Sequence, residues 1–350
     1  MNDNARLSFI IISLQDVRII TKLLVKSAQH GYAGGMNERF DSPAVHPSAV
    51  PAVPIWAMPR APADSDVEAA WMAGGALNSL DNLMRSDAPW LGAWRHRLAL
   101  KAAAAVVQLI GRREAESDLR DAWLLRQPGD DPGPAGNVLA AWRRLAGRSS
   151  VPDAETIAAV ARLSGLGTAV DGDAVVALVE DGAAAPPPLA AARIADAVVR
   201  VEPRAEPLAW WMADLALARR MRWPFPAPVL ATQIHSPLLR FGYERLRARP
   251  GGKGFERACL IAAAAGAAEA CTLAAGMALQ ARRLEAAAPK LRAKGAGEVV
   301  RLLLEDDAVP GTLTTGSLSR WASRRLFDRL VQLGAVRELS GRDSFRIFGL

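Results

Sequence analysis

The chain has 350 residues, enough for two domains or one large one, and 51 % of them are hydrophobic, so a sizeable core can form. Its formal net charge of +7 permits an anionic partner without requiring one. The two cysteines, Cys259 and Cys271, stand about 18 Å apart if one continuous helix carries both, which excludes a bridge between them and points to reduced, buried thiols in a cytoplasmic protein.

Residues 1–35 differ in composition from the rest of the chain. They hold five of its twelve isoleucines and two of its six lysines, and Met36 then opens the composition of the remainder. We read 1–35 as an extension upstream of the true start. Within it, Ser8 to Leu14 resembles the apolar core of a secretory signal, but Asp16 and Arg18 interrupt it. Residues 36–63 form a proline-rich leader, with six prolines between 41 and 63 and little periodicity, expected to be extended or disordered.

Regular structure starts at Asp64 or Ser65, either of which can cap a helix over 66–85. Pro89 opens the next helix, to Gly111, with Leu91, Trp94, Leu98, Ala102, Val106 and Leu109 at helical spacing. A third helix covers 114–125. The block from Gly129 to Gly136, with its two prolines and three glycines, stops any helix. Further helices are predicted at 135–146, 153–163, 172–180, 187–200, 206–221, 228–240 and 254–288, with the prolines of 223–228 as a rigid connection. Over Ala258 to Ala281 only Glu269 is charged. So much alanine and glycine gains little in lipid, and the stretch reads as a closely packed core helix rather than a membrane span. No strand signal precedes residue 335. Residues 64–290 are thus an all-α body with short loops.

Residues 296–350 read differently. A helix near 298–305 is followed by a broken stretch, 306–317, and a basic amphipathic helix over 318–333. Gly334 stops it. A strand, a polar turn at Ser340 to Asp343 and a second strand complete the chain. That order matches the second half of a winged helix, although 306–317 is too broken for a good middle helix. The fold class is therefore mainly α, a multi-helix body with a small C-terminal α+β winged-helix unit.

Taking Leu318, Ala322, Leu326, Leu330 and Leu333 as the buried stripe leaves Ser319, Arg320, Ser323 and Arg324 on the opposite side, where a recognition helix meets base edges. Arg325 and Arg329 flank toward phosphates, and Arg342 sits at the tip of the turn, where a wing reaches DNA. From 317 to 350 seven arginines oppose Asp328, Glu338 and Asp343, a local charge of +4 that fits a DNA contact. The competing reading is a solvated arginine face on a unit used for protein contacts.

Other constellations are weaker. Asp130 and Asp131 could bind a divalent cation, but adjacent aspartates before proline are ordinary turn residues. The loop from Arg249 to Phe255 lacks the spacing of a phosphate-binding loop. His30, His46, His96 and His235 form no zinc spacing. Glu114, Glu116, Asp118 and Asp121 read as ion-pairing partners for arginine. The ten tryptophans, several beside arginines, read as core. Neither a cofactor nor a catalytic residue is predicted.

Several blocks carry a family resemblance: Trp94-Arg-His-Arg-Leu-Ala-Leu-Lys101, Gly111-Arg-Arg-Glu114, Leu119-Arg-Asp-Ala-Trp-Leu-Leu125, Pro128-Gly-Asp-Asp-Pro-Gly-Pro-Ala-Gly136, Ala141-Trp-Arg-Arg144, and the tail from Arg325-Leu-Phe-Asp-Arg-Leu330 to Gly349. Over most of 60–350 the chain resembles the bacterial domain-of-unknown-function family numbered 1403. The resemblance implies a plasmid-associated bacterial protein and supplies no catalytic residues. The family's C-terminus is similar to winged-helix tails, such as those on some Fic-type proteins. The Fic motif itself is absent here.

The expectation is a cytoplasmic, DNA-associated protein, regulatory or accessory to plasmid maintenance, whose partner is double-stranded DNA. No membrane is involved, and assembly into a homo-oligomer is compatible with the sequence. The alternative is an interaction scaffold whose winged helix packs on the body or on a second subunit. A third reading is an enzyme with a site around Asp130, Asp131 and His96.

Overall fold

A computed structural model describes residues 50–127, 129–147, 153–167, 171–181 and 185–350. Residues 1–49, which hold the expected extension 1–35, the first part of the expected leader, His30 and His46, lie outside the described residues. Residues 50–63 run against the first helix. Val53, Ala57 and Ala63 are buried, and Ser79 Oγ donates to the Ala52 carbonyl at 3.0 Å.

The described residues then form eleven α-helices. They are α1 (Asp66–Met84), α2 (Leu91–Leu109), α3 (Glu116–Leu124), α4 (Gly133–Ala146), α5 (Ala154–Leu163), α6 (Gly172–Asp181), α7 (Pro187–Val201), α8 (Glu206–Met221), α9 (Phe255–Ala287), α10 (Ala296–Glu305) and α11 (Arg320–Gln332). The caps explain several starts. Ser65 Oγ caps α1 by accepting from Glu68 N, and the Glu68 carboxylate accepts from Asp64 N in return. Asp153 caps α5 through Thr156 N at 2.7 Å.

α9 is the centre of the body. It packs against α1 on one side and α7 on another, while α7 pairs with α8 and α2 with α4. Its residues 258–267 are buried throughout. By length and composition α9 could cross a membrane, but 72 % of its most apolar stretch is buried inside the protein, where alanine and Gly266 allow neighbours to approach closely. A Cβ at Gly266 would collide with the Val229 carbonyl oxygen. The chain there is held by Asp214 on α8, whose carboxylate accepts from the backbone N–H of Val229, Leu230 and Ala231 at 2.8–3.1 Å. Full burial pushes this carboxyl up to about 7 against the pull of those three donors.

Two sequence expectations change here. The helix expected over 228–240 is instead two short 3-10 turns, Ala231–Gln233 and Pro237–Leu239. Asp214 takes the backbone donors at its start, and Pro237 has no N–H to carry a helix through. Strands also occur before residue 335. β1 (Arg240–Phe241) pairs antiparallel with β2 (Leu246–Arg247), and β3 (Val309–Pro310) precedes α11. Strands of two residues are too short to show a period of two.

The C-terminal segment runs α10, β3, α11, β4 (Arg337–Glu338) and β5 (Ile347–Gly349). Its antiparallel sheet has the order β3–β5–β4, with Val309 opposite Phe348 and Arg337 opposite Gly349. Phe327 of α11 stacks on Phe348 of β5 with ring centroids 4.5 Å apart. Gly334, at φ +64, ends α11 in the left-handed region, and Ala335 N bonds back to the Leu330 carbonyl. The described residues form one unit.

Candidate nucleic-acid interface

The C-terminal segment is fastened to the body by buried charge. Asp306 and Asp307 come directly after the last turn of α10. Asp307 is 4 % exposed, and its carboxylate lies between Arg97 of α2, which bonds it through Nε, and Arg120 of α3 at 2.7 Å. Arg143 of α4 grips Asp306 bidentately at 2.7 and 2.8 Å. Burial alone would raise the Asp307 carboxyl, but the Arg97 and Arg120 charges outweigh it and hold it below its usual range. His96 shares this cleft. Burial and then the Arg143 charge push its imidazole down to about 4, so it is neutral at pH 7. Gly92 completes the joint, because a Cβ there would stand 2.7 Å from the Glu305 carbonyl oxygen.

This docking consumes the arginines on one side of the segment. Arg342 donates to Asp121 of α3 at 2.6 Å. The Gln280 amide, with its oxygen turned toward the guanidinium, accepts from Arg337 at 2.7 and 3.1 Å. Arg346 pairs with Asp328 at 2.8 Å. The expected free position of Arg342 at a wing tip is therefore corrected. The hairpin turn rests against α3, and its arginine is half-buried in an ion pair.

Ser323 is also corrected. It is 0 % exposed, and its Oγ has no hydrogen-bond partner. The buried stripe of α11 is Ser323, Leu326, Phe327 and Leu330. The leucine spacing alone centres the stripe one position away. Stacking of Phe327 on Phe348 rotates the helix so that the residue one turn earlier, Ser323, faces inward.

The remaining predicted residues stay at the surface. Ser319 is the N-cap of α11, its Oγ accepting from Ala322 N at 3.3 Å. Arg320, Arg324, Arg325 and Arg329 are exposed, and none forms an ion pair with a described carboxylate. Arg324 lies 5.4 Å from the ring of Trp321, which is 72 % exposed on the outermost side of the helix. Trp321, like the exposed Trp56 and Trp71, departs from the expectation that the tryptophans are core. Trp94, Trp142, Trp210 and Trp211 meet that expectation, with Trp94 Nε1 bonded to the Ala270 carbonyl and Trp211 Nε1 to that of Ala141.

On its other flank α11 borders a groove of about 550 Å³ lined by Lys290, Leu291, Arg292, Ala293, Lys294, Ala322, Arg325, Leu326 and Arg329. Five of these nine residues are cationic and none is acidic. Sequence reasoning missed 290–294. The signal for it was cation alternation in Lys290-Leu-Arg-Ala-Lys294, which holds two of the four lysines beyond residue 35.

The other candidates find ordinary roles. Asp130 accepts from Gln127 N and Asp131 from Gly133 N and Asn137, all turn or helix-start contacts. His96 lies with Arg120, Arg143, Asp306 and Asp307, a set that does not include the aspartate pair. Among the described residues no group of three or more His, Cys, Asp or Glu could hold a metal ion. In the glycine-rich loop, Gly251 N is already taken by the Asp196 carboxylate at 2.6 Å. Glu114 binds Arg112, Glu116 meets Lys101 at 3.5 Å, and Asp118 accepts from Ala115 N.

A family described as protein of unknown function (DUF1403) matches residues 44–350. The chain belongs to the DUF1403 family. No curated protein matches it. The matched range takes in the body, the Asp306–Asp307 joint and the exposed face of α11 alike, so the joint and that face both lie within the extent of the family.

Proposed function

We propose that this DUF1403 protein binds double-stranded DNA through the exposed face of α11, as a cytoplasmic bacterial protein with a regulatory or plasmid-maintenance role. The segment α10–β3–α11–β4–β5 acts in this reading as a winged helix. Its element order and its β3–β5–β4 sheet support that, while residues 311–319 contain no helix between β3 and α11. One observation carries the proposal. The three arginines nearest the body or the sheet are engaged, Arg337 by the neutral Gln280 amide and Arg342 and Arg346 by the Asp121 and Asp328 carboxylates, whereas Arg320, Arg324, Arg325 and Arg329 stand exposed without a carboxylate partner among the described residues. Exposed guanidiniums along one helix face suit phosphate and guanine recognition.

The test is fluorescence anisotropy of the full chain on a labelled duplex. Arg320→Ala combined with Arg324→Ala should abolish binding, and wild-type affinity should fall steeply with salt as counterions are released. Retained, salt-insensitive binding by the double variant would refute this placement.

A second reading has its own support. The buried Asp307 pairs, the partly buried Asp306–Arg143 pair and the Arg342–Asp121 bridge tie the segment to the helical body, as expected of an interaction scaffold. The two readings differ in what meets α11, and the duplex titration separates them.

A further inference from the structure

We infer that residues 290–294 and α11 together form a clamp for one phosphate strand of the duplex, taking the place of a free wing. This rests on the DNA reading above and adds to it a wall that no sequence motif indicated. Between α9 and α10, Lys290 closes a short 3-10 turn, Leu291 is extended (φ −92, ψ 121), and residues 293–295 bend and turn into α10. Leu291 and Ala293 turn inward and pack on the core, while Lys290, Arg292 and Lys294 are exposed. Opposite them, Arg325 and Arg329 lie one helical turn apart on α11. The spacing of Arg325 and Arg329, an i, i+4 pair, is about 6 Å along the helix axis. That spacing is close to the separation of successive phosphates on a nucleic-acid strand.

Charge selects the occupant. Five cations lining one groove of about 550 Å³ repel one another, and no lining carboxylate offsets them. A linear polyanion relieves that repulsion along the whole groove, whereas a single small anion would neutralise one end. A lipid surface fits less well, since the apolar residues of 290–294 point into the protein and offer nothing to insert. The groove is continuous with the exposed face of α11, because Arg325 and Arg329 belong to both. The hairpin cannot supply the backbone contact, because Arg342 is engaged with Asp121.

The experiment compares the full chain with Lys290→Ala/Arg292→Ala/Lys294→Ala and, for the other wall, Arg325→Ala/Arg329→Ala, titrating a 20-base-pair duplex across a sodium chloride series. Removing one phosphate-binding cation should lower the slope of log K against log salt by about 0.9. The triple variant should therefore lose roughly 2–3 from the slope and the double variant about 2, with sequence preference unchanged. Arg342→Ala should match the wild type in affinity and slope. The clamp is overturned if wild type binds the duplex but the triple variant keeps the full slope, an outcome that leaves the α11 reading standing. It is also overturned if the wild type ignores the duplex and binds only phosphatidylserine vesicles or single-stranded RNA, which removes the α11 reading as well.

Discussion

Replacing Asp307 by alanine should damage the fold more than any exposed charge change. The carboxylate lies between Arg97 and Arg120, whose side chains are only 14 % and 10 % exposed. Alanine would leave both guanidiniums buried without their counter-charge. Breaking a buried ion pair from one side costs about 3–5 kcal/mol. For a unit of about 300 residues that corresponds to a fall in melting temperature of roughly 6–10 °C, taking about 2 °C per kcal/mol. Urea unfolding followed by circular dichroism, alongside a thermal melt, measures both quantities. The companion variant, Arg97→Met/Arg120→Met/Asp307→Met, removes all three charges and should recover most of the loss, because well-packed apolar groups often replace a buried ion set without net cost. A single Asp307→Ala variant within about 1 kcal/mol of wild type would refute the argument. The same pairing makes an acid-sensitive joint. The folded-state pKa of Asp307 lies below its unfolded value, so its contribution is present above the unfolded pKa and is lost as pH falls through the folded one.

His96 gives a separate pH signature. Its folded pKa of about 4 lies below the unfolded 6.5, so stability should decline as pH falls between those values, by up to about 3 kcal/mol; His96→Gln should flatten that decline in urea melts at pH 7 and pH 5, and an unchanged difference would contradict it. Ser323→Ala removes a buried hydroxyl with no partner. It should leave stability equal or raise it by about 1 kcal/mol and leave duplex affinity unchanged; a tenfold loss of DNA binding would restore Ser323 to the interface.

Much of the fold was legible because helical period and caps are local. The stretch from Asp64 to Leu109 shows this, with Ser65 as a helix cap and Leu91, Trp94, Leu98, Ala102 and Val106 at helical spacing. The small sheet was harder. β3 is two residues long and becomes a strand only by pairing with β5, more than thirty residues later. The candidate site divided in the same way. Exposure of Arg320, Arg324, Arg325 and Arg329 followed from amphipathicity within one helix. Ser323 did not, because its facing depends on Phe348 in another element.

By itself, then, the order of residues determined most of the helical segments, though not that 228–240 is two short turns, where glycine and proline end helices, and that the tail carries the excess positive charge. Only the tertiary structure decided which of those charges remain free. The guanidiniums of Arg97, Arg120, Arg143 and Arg342 look in sequence like those of Arg320 and Arg325, since pattern records charge but not distance. Electrostatic pairing depends on separation and on exclusion of water, and both arise when α2, α3 and α4 meet the C-terminal segment around Asp306 and Asp307.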